Sequence, residues 1–167
     1  MSTAETTLKT YEYYRPRTLA ILDKVLQEPD PAAVLGWRPG PGRAHIAWQL
    51  MHIGVTEEIF ATERLAPEKS GAFQELWPRF RGGSTPDDDI PSPDLIRKVL
   101  EESRAHLAET LRSIPDSRLG EIPEALAQRK LTIGDVLHLI GWHEAHHQGQ
   151  AHITFNLYKA AQTQAPR

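Results

Sequence analysis

The sequence predicts an all-α fold, a four-helix bundle, from three observations. Four segments carry apolar residues at spacings of three and four. No segment shows the strict alternation of a half-buried strand. Stretches rich in Pro and Gly separate the four segments. A chain of 167 residues suits one domain, residues 1–167, with a core large enough to need no staple.

The first helix is expected from about Glu5 to Gln27. Leu8, Tyr11, Tyr14 or Arg15, Thr18, Leu19, Leu22, Val25 and Leu26 recur along one face. Pro16 lies inside it and predicts a kink or an early break. Glu28 to Gly42, with four prolines and three glycines, reads as a loop. The second helix is expected from about Arg43 to Leu65, with Trp48, His52, Val55 and Ile59 on one stripe. Pro67 ends it.

Ala66 to Pro93 then forms a connection of roughly 27 residues, a length that usually marks a functional loop or a crossover. Phe73, Leu76, Trp77 and Phe80 can pack it on the bundle. A connection this long lets helices two and three run parallel. Ser92-Pro93-Asp94 opens the third helix, to about Ser113, with Ile96, Val99 or Leu100, Ser103, Leu107, Thr110 and Ile114 inward. Asp116 to Leu131 is irregular. Thr132 caps the fourth helix, with Asp135 completing an approximate capping box, and the helix reaches about Ala160.

Composition narrows the function. Lys and Arg number 19 against 22 Asp and Glu, a formal net charge of −3. The basic residues are scattered, which argues against a grip on nucleic acid. No stretch approaches 18 uninterrupted apolar residues, so no membrane span is expected, and Met1 to Lys9 lacks the apolar core of a signal peptide. With no cysteine, disulfides, thiolate metal sites and Cys nucleophiles are absent. A mildly acidic, cysteine-free chain suits the cytoplasm.

Histidine asks for a chemical explanation: there are eight, five of them between His138 and His152. On the fourth helix Ile133, Val136, Ile140, His143, His147, Gln150, Thr154 and Leu157 form one stripe that begins apolar and so faces the core. His143 and His147 therefore point inward one turn apart. His52 lies on the inward stripe of the second helix. A lone inward histidine is usually a satisfied core residue. Three of them would leave several polar edges to satisfy, and one shared divalent cation satisfies all three. His52, His143 and His147 are thus the expected metal ligands. His45, His106, His138, His146 and His152 are expected at the surface or at helix edges.

His143-Glu144-Ala145-His146-His147 also matches the zinc-protease pattern His-Glu-x-x-His. The extended form needs Gly at 150 and His at 153. Here Gly149 comes one place early, 153 is Ile, and no acidic residue follows Glu144. The protease reading fails on those counts. Glu144, about 100° off the metal stripe, is expected to be a solvated charge or the partner of an exposed base.

These residues resemble the DinB-like (DinB/YfiT) superfamily of metal-dependent enzymes. The resemblance runs from about Tyr11 to Tyr158. It is strongest in LTIGDVLHLIGWHEAHHQGQAHI, Leu131 to Ile153, and in GWRPGPGRAHIAWQLMHI, Gly36 to Ile53. One His on helix two and a His pair on helix four are similar to that family's metal triad. The resemblance implies an up-down-down-up bundle, frequent homodimers and a bound zinc, nickel or related ion. It further implies either S-transfer with a low-molecular-weight thiol or a hydrolase activity.

Three neutral ligands leave the cation's charge uncompensated and positions open, the pattern of a catalytic rather than a structural site. A water there can be lowered to a pKa near 7 and act as hydroxide, and a thiol can be deprotonated to become the nucleophile. Gln49 and Thr56, flanking His52, and Gln150, following His147, are candidates to orient water, substrate or an imidazole. Tyr11 and Tyr14 are candidates to line the pocket. No charged general base is evident beside the metal stripe, which favours thiol activation. The alternative is a non-catalytic metal-binding or stress-response protein.

Overall fold

The computed structural model describes residues 1–164 and is all-α, with no strand among the described residues. Four long helices dominate: α1 (Thr3–Leu26), α3 (Ile46–Ile59), α5 (Pro93–Arg112) and α6 (Ile133–Gln164). Two short ones join them, α2 (Pro31–Gly36) and α4 (Trp77–Phe80). The long helices pack as a ring: α1 lies against α5 and α6, and α3 lies against the same two.

Local chemistry sets the helix starts. Ser2 caps α1 in a full capping box with Glu5, three residues before the expected start. Pro16 does not end the helix, which runs on to Leu26. Buried Tyr11, Thr18 and Leu22 on either side hold the turn where Pro16 withholds its N–H. Asp30 caps α2 through the N–H of Ala33, so part of the expected loop is helical. Its Val34 and Leu35 are fully buried. Ser92 caps α5, and Thr132 and Asp135 exchange the two bonds of a capping box at the start of α6.

α3 starts at Ile46, three residues later than expected, because His45 is its N-cap: Nδ1 accepts the N–H of Trp48 at 3.0 Å. His45 is buried rather than at a surface or helix edge. α3 is also buried on every side, with Thr56 the one half-exposed residue between Ile46 and Ile59. A helix apolar all round belongs in the middle of a fold. Gly54 gives α5 its close approach, since a Cβ there would stand 2.7 Å from Val99 Cγ1. α3 continues as a π-helical turn, Phe60–Arg64.

The long connection is the lid over α3. Glu58, buried on α3, accepts the N–H groups of Ala72 (2.6 Å) and Phe73 (3.1 Å) and the indole N–H of Trp77 (2.7 Å). Phe73 and Phe80 are buried beneath it, with Leu76 and Trp77 packed at the edge. No helix among the described residues is long and apolar enough to cross a membrane.

On α6 the buried face departs from the expected stripe. Ile133, Val136, Ile140 and Thr154 are buried, but so are Glu144, Ala151 and Phe155, while Leu157 is exposed. A strict seven-residue pattern drifts by roughly 20° per heptad on a straight helix. Over three heptads the inward face moves from 150 and 157 to 151 and 155.

Candidate metal centre

His52, His143 and His147 meet where α3 faces α6. Each offers one ring nitrogen, and those atoms all lie within 4.8 Å of one another. The ring centroids of the three pairs are 4.5 to 4.8 Å apart. His52 Nε2 and His143 Nε2 stand 3.0 Å apart. Two nitrogens on one tetrahedral zinc ion would be about 3.3 Å apart, given Zn–N bonds of about 2.0–2.1 Å. The rings therefore need little rearrangement to share a cation, and three neutral imidazoles are a fitting donor set for zinc, nickel or copper.

Two of the three outer nitrogens have a hydrogen-bond partner. His52 donates its Nδ1–H to the carbonyl of Phe80 at 2.6 Å and is stacked on Trp48 with centroids 4.5 Å apart. His147 donates its Nδ1–H to Oε1 of Gln49 at 2.5 Å. Both bonds leave Nε2 bare and aimed at the centre. Gln49 donates in turn to Oε1 of Gln150 (2.8 Å), and Gln150 reaches Nε2 of His146 (2.5 Å). Gln49 and Gln150 thus sit behind the ligand ring, and Thr56 lines the cleft in front. That cleft has a volume of about 350 Å³ and is open to solvent beside the three histidines.

Burial holds all three imidazoles in the neutral, ligating form. Desolvation lowers His52 first, opposed by its bond to Phe80. Desolvation, then the positive field of His52 and His146, pushes His143 down to about 3. Desolvation, then His143, His52 and His146, pushes His147 down to about 2.

A family model of the DinB superfamily matches residues 11–151, a span that holds all three histidines. The chain belongs to the DinB superfamily. It matches no curated protein and no solved structure.

In this DinB chain the glutamate of the His-Glu-x-x-His pattern is buried and paired, not solvated. Glu144 is buried outside the cleft lining, hydrogen-bonded to Thr18 Oγ1 (2.8 Å) and Arg104 Nη2 (2.5 Å) and in ion-pair contact with Arg15 Nε (2.9 Å). Glu57 of α3 joins the same two arginines, at 2.6 Å from Arg15. Two carboxylates and two guanidiniums tie α1, α3, α5 and α6 together. The sequence reading missed this group because Arg15, Glu57 and Arg104 are far apart in the chain. The available signal for Glu144 was its place one turn after inward-facing Ile140.

Tyr11 and Tyr14 do not line the cleft. Tyr11 is buried against α6, with its hydroxyl donating to the carbonyl of Leu137. Also unforeseen was the contribution of the long connection, whose Phe80 carbonyl orients His52.

Proposed function

We propose that this protein is a metal-dependent enzyme that activates a low-molecular-weight thiol at His52, His143 and His147. One observation carries the reading: three bare imidazole nitrogens converge at the wall of a cleft that admits a small molecule. The proposed cofactor is one divalent ion, zinc or nickel. When bound, such an ion supplies a positive charge that lowers the pKa of a coordinated thiol or water.

The cleft wall favours a thiol over water. Among the described residues no Asp or Glu lines it, and the nearest glutamate in sequence, Glu144, is held in ion pairs away from it. Hydrolysis profits from a general base within reach of the attacking water. Sulfur transfer needs none once the thiol is ionised. A sulfur–carbon bond forms to an electrophilic substrate, the bond to the leaving group breaks with its electron pair, and the thiol proton goes to solvent. Thr56, at the cleft wall, is placed to hydrogen-bond the incoming ligand, and Gln49 and Gln150 keep the His147 ring in position.

We also infer an up-down-down-up bundle, supported by the ring of four long helices and the long connection between α3 and α5. A cytoplasmic homodimer is the setting proposed with it, on the family resemblance.

Metal analysis of untagged protein after incubation with Zn²⁺ or Ni²⁺, followed by turnover of electrophiles with a panel of thiols, tests the reading. The expected result is one ion per chain and thiol-dependent turnover. Metal content near zero overturns the site. A loaded protein inert with every thiol and ester supports a non-catalytic metal-binding protein instead.

A further inference from the structure

Six arginines of the fold are neutralised at close range. Arg15, Arg38, Arg79, Arg97, Arg104 and Arg118 each have a carboxylate oxygen within 3.0 Å. Arg17, Arg43, Arg64, Arg81, Arg112 and Arg129 have no carboxylate that close among the described residues, and of these Arg64, Arg81 and Arg129 line the cleft beside the histidines. Arg129 has no ion pair among the described residues. Arg64 and Arg81 share only Glu63, at 3.8 and 3.7 Å, which is beyond a good hydrogen bond. Arg64 Nε is buried with no hydrogen-bond partner among the described residues.

The three come from three separate segments. Arg64 ends the π-helical turn after α3, and such turns often redirect a side chain at a functional site. Arg81 follows α4 and precedes Gly82, where a Cβ would stand 4.0 Å from His52 Cε1. Arg129 ends a 3-10 turn, Glu124–Arg129, closed by Lys130 in the left-handed region at φ 53°. Burial pulls Arg64 below the ordinary guanidinium range. Glu63 opposes this, and Arg129 and Arg81 add to it. Like charges gathered without a counter-charge carry a free-energy cost that a bound anion removes. Apart from the histidines and Thr56, the rest of the wall is apolar, with Phe60, Leu139 and a largely exposed Trp142.

We propose that Arg64, Arg81 and Arg129 form an anion subsite, so that the substrate is an organic acid bearing a carboxylate or phosphate and an apolar body. This rests on the cleft being the substrate site of the proposed enzyme, but not on the cation. Guanidinium forks suit planar or tetrahedral oxyanions, and Phe60, Leu139 and Trp142 would cover the body of the molecule. The histidines and the arginines line the same cleft, so a bound acid would lie beside the three imidazoles.

Calorimetric titration with phenylacetate, phenyl phosphate and the neutral phenylacetamide tests this, on metal-stripped and on metal-loaded protein. At least one anion should bind both forms tenfold or more tighter than the amide, and the better anion names the class. Arg64→Gln, Arg81→Gln and Arg129→Gln, with unchanged thermal unfolding, should each erode that preference, and the double variant R81Q/R129Q should erase it. His106→Ala, outside the cleft lining, should leave it intact. Equal binding of acid and amide overturns the subsite. So does an anion preference that survives in the arginine variants, or one that vanishes with the metal. A protein that takes up no metal yet keeps the arginine-dependent preference retains the subsite and loses only the metal reading.

Discussion

Gln49 accepts the Nδ1–H of His147 at 2.5 Å, and that contact decides which nitrogen of His147 faces His52 and His143. Partners of this kind set ring orientation and ligand basicity, and their loss costs roughly 10–100-fold in metal affinity. Gln49→Leu should weaken Zn²⁺ binding by about that factor, while Gln49→Glu, which still accepts, should not. Competition titration with a chelating indicator measures both.

His52→Ala, His143→Ala and His147→Ala should each lower metal affinity by ~100-fold or more, since two imidazoles hold a divalent ion poorly. His106, half-buried on α5 and remote from the cleft, serves as the control. An equal loss in His106→Ala would show that the ligands have been misassigned.

Glu144 is expected to matter for stability rather than chemistry. Removing one member of a buried, paired group leaves its partners charged and unpaired, at about 3–5 kcal/mol. Glu144→Ala should therefore lower the urea midpoint strongly. A folded Glu144→Ala protein of wild-type stability but without activity would instead revive the zinc-protease arrangement.

His45 should make stability depend on pH. Desolvation of the buried ring lowers its pKa, opposed by the hydrogen bond from Nε2–H to the carbonyl of Asp87 at 2.9 Å. The unfolded chain then binds a proton that the folded chain refuses, so stability rises with pH in that window. The contribution is complete above the ordinary histidine value near 6.5 and is lost as pH falls from there toward the lowered folded value. His45→Asn keeps a capping side chain and removes the titration. Its stability should fall less steeply as pH drops below about 6.5, as read from urea midpoints.

Gly54→Ala should destabilise by about 1–3 kcal/mol, because α3 and α5 cannot separate without disturbing the core on both sides. Thermal unfolding checks this. A gain in Tm from the better helix propensity of alanine would mean that Val99 moves aside freely.

The three histidines were legible in the sequence because their positions depend on local geometry alone. A spacing of four puts His143 and His147 on one helix face, and the stripe of Trp48, Val55 and Ile59 aims His52 the same way. Periods and caps are properties of neighbouring residues, so Ser92 and Thr132 marked their helix starts. His45 and Asp30 were harder to see. A histidine is an uncommon cap, and Asp30 stands among prolines that read as a loop.

An all-α chain of the DinB superfamily, with one histidine and a histidine pair on two inward faces, can be read from the order of residues alone. That Phe80 and Gln49 orient those rings, that Glu144 joins Arg15, Glu57 and Arg104, and that Arg64, Arg81 and Arg129 share a cleft follows from the packing of the helices. Helical periodicity is written within a few turns of chain. Burial of a charge and the meeting of residues far apart in sequence depend on which helix packs against which, and the small drift of a straight helix turned Leu157 out.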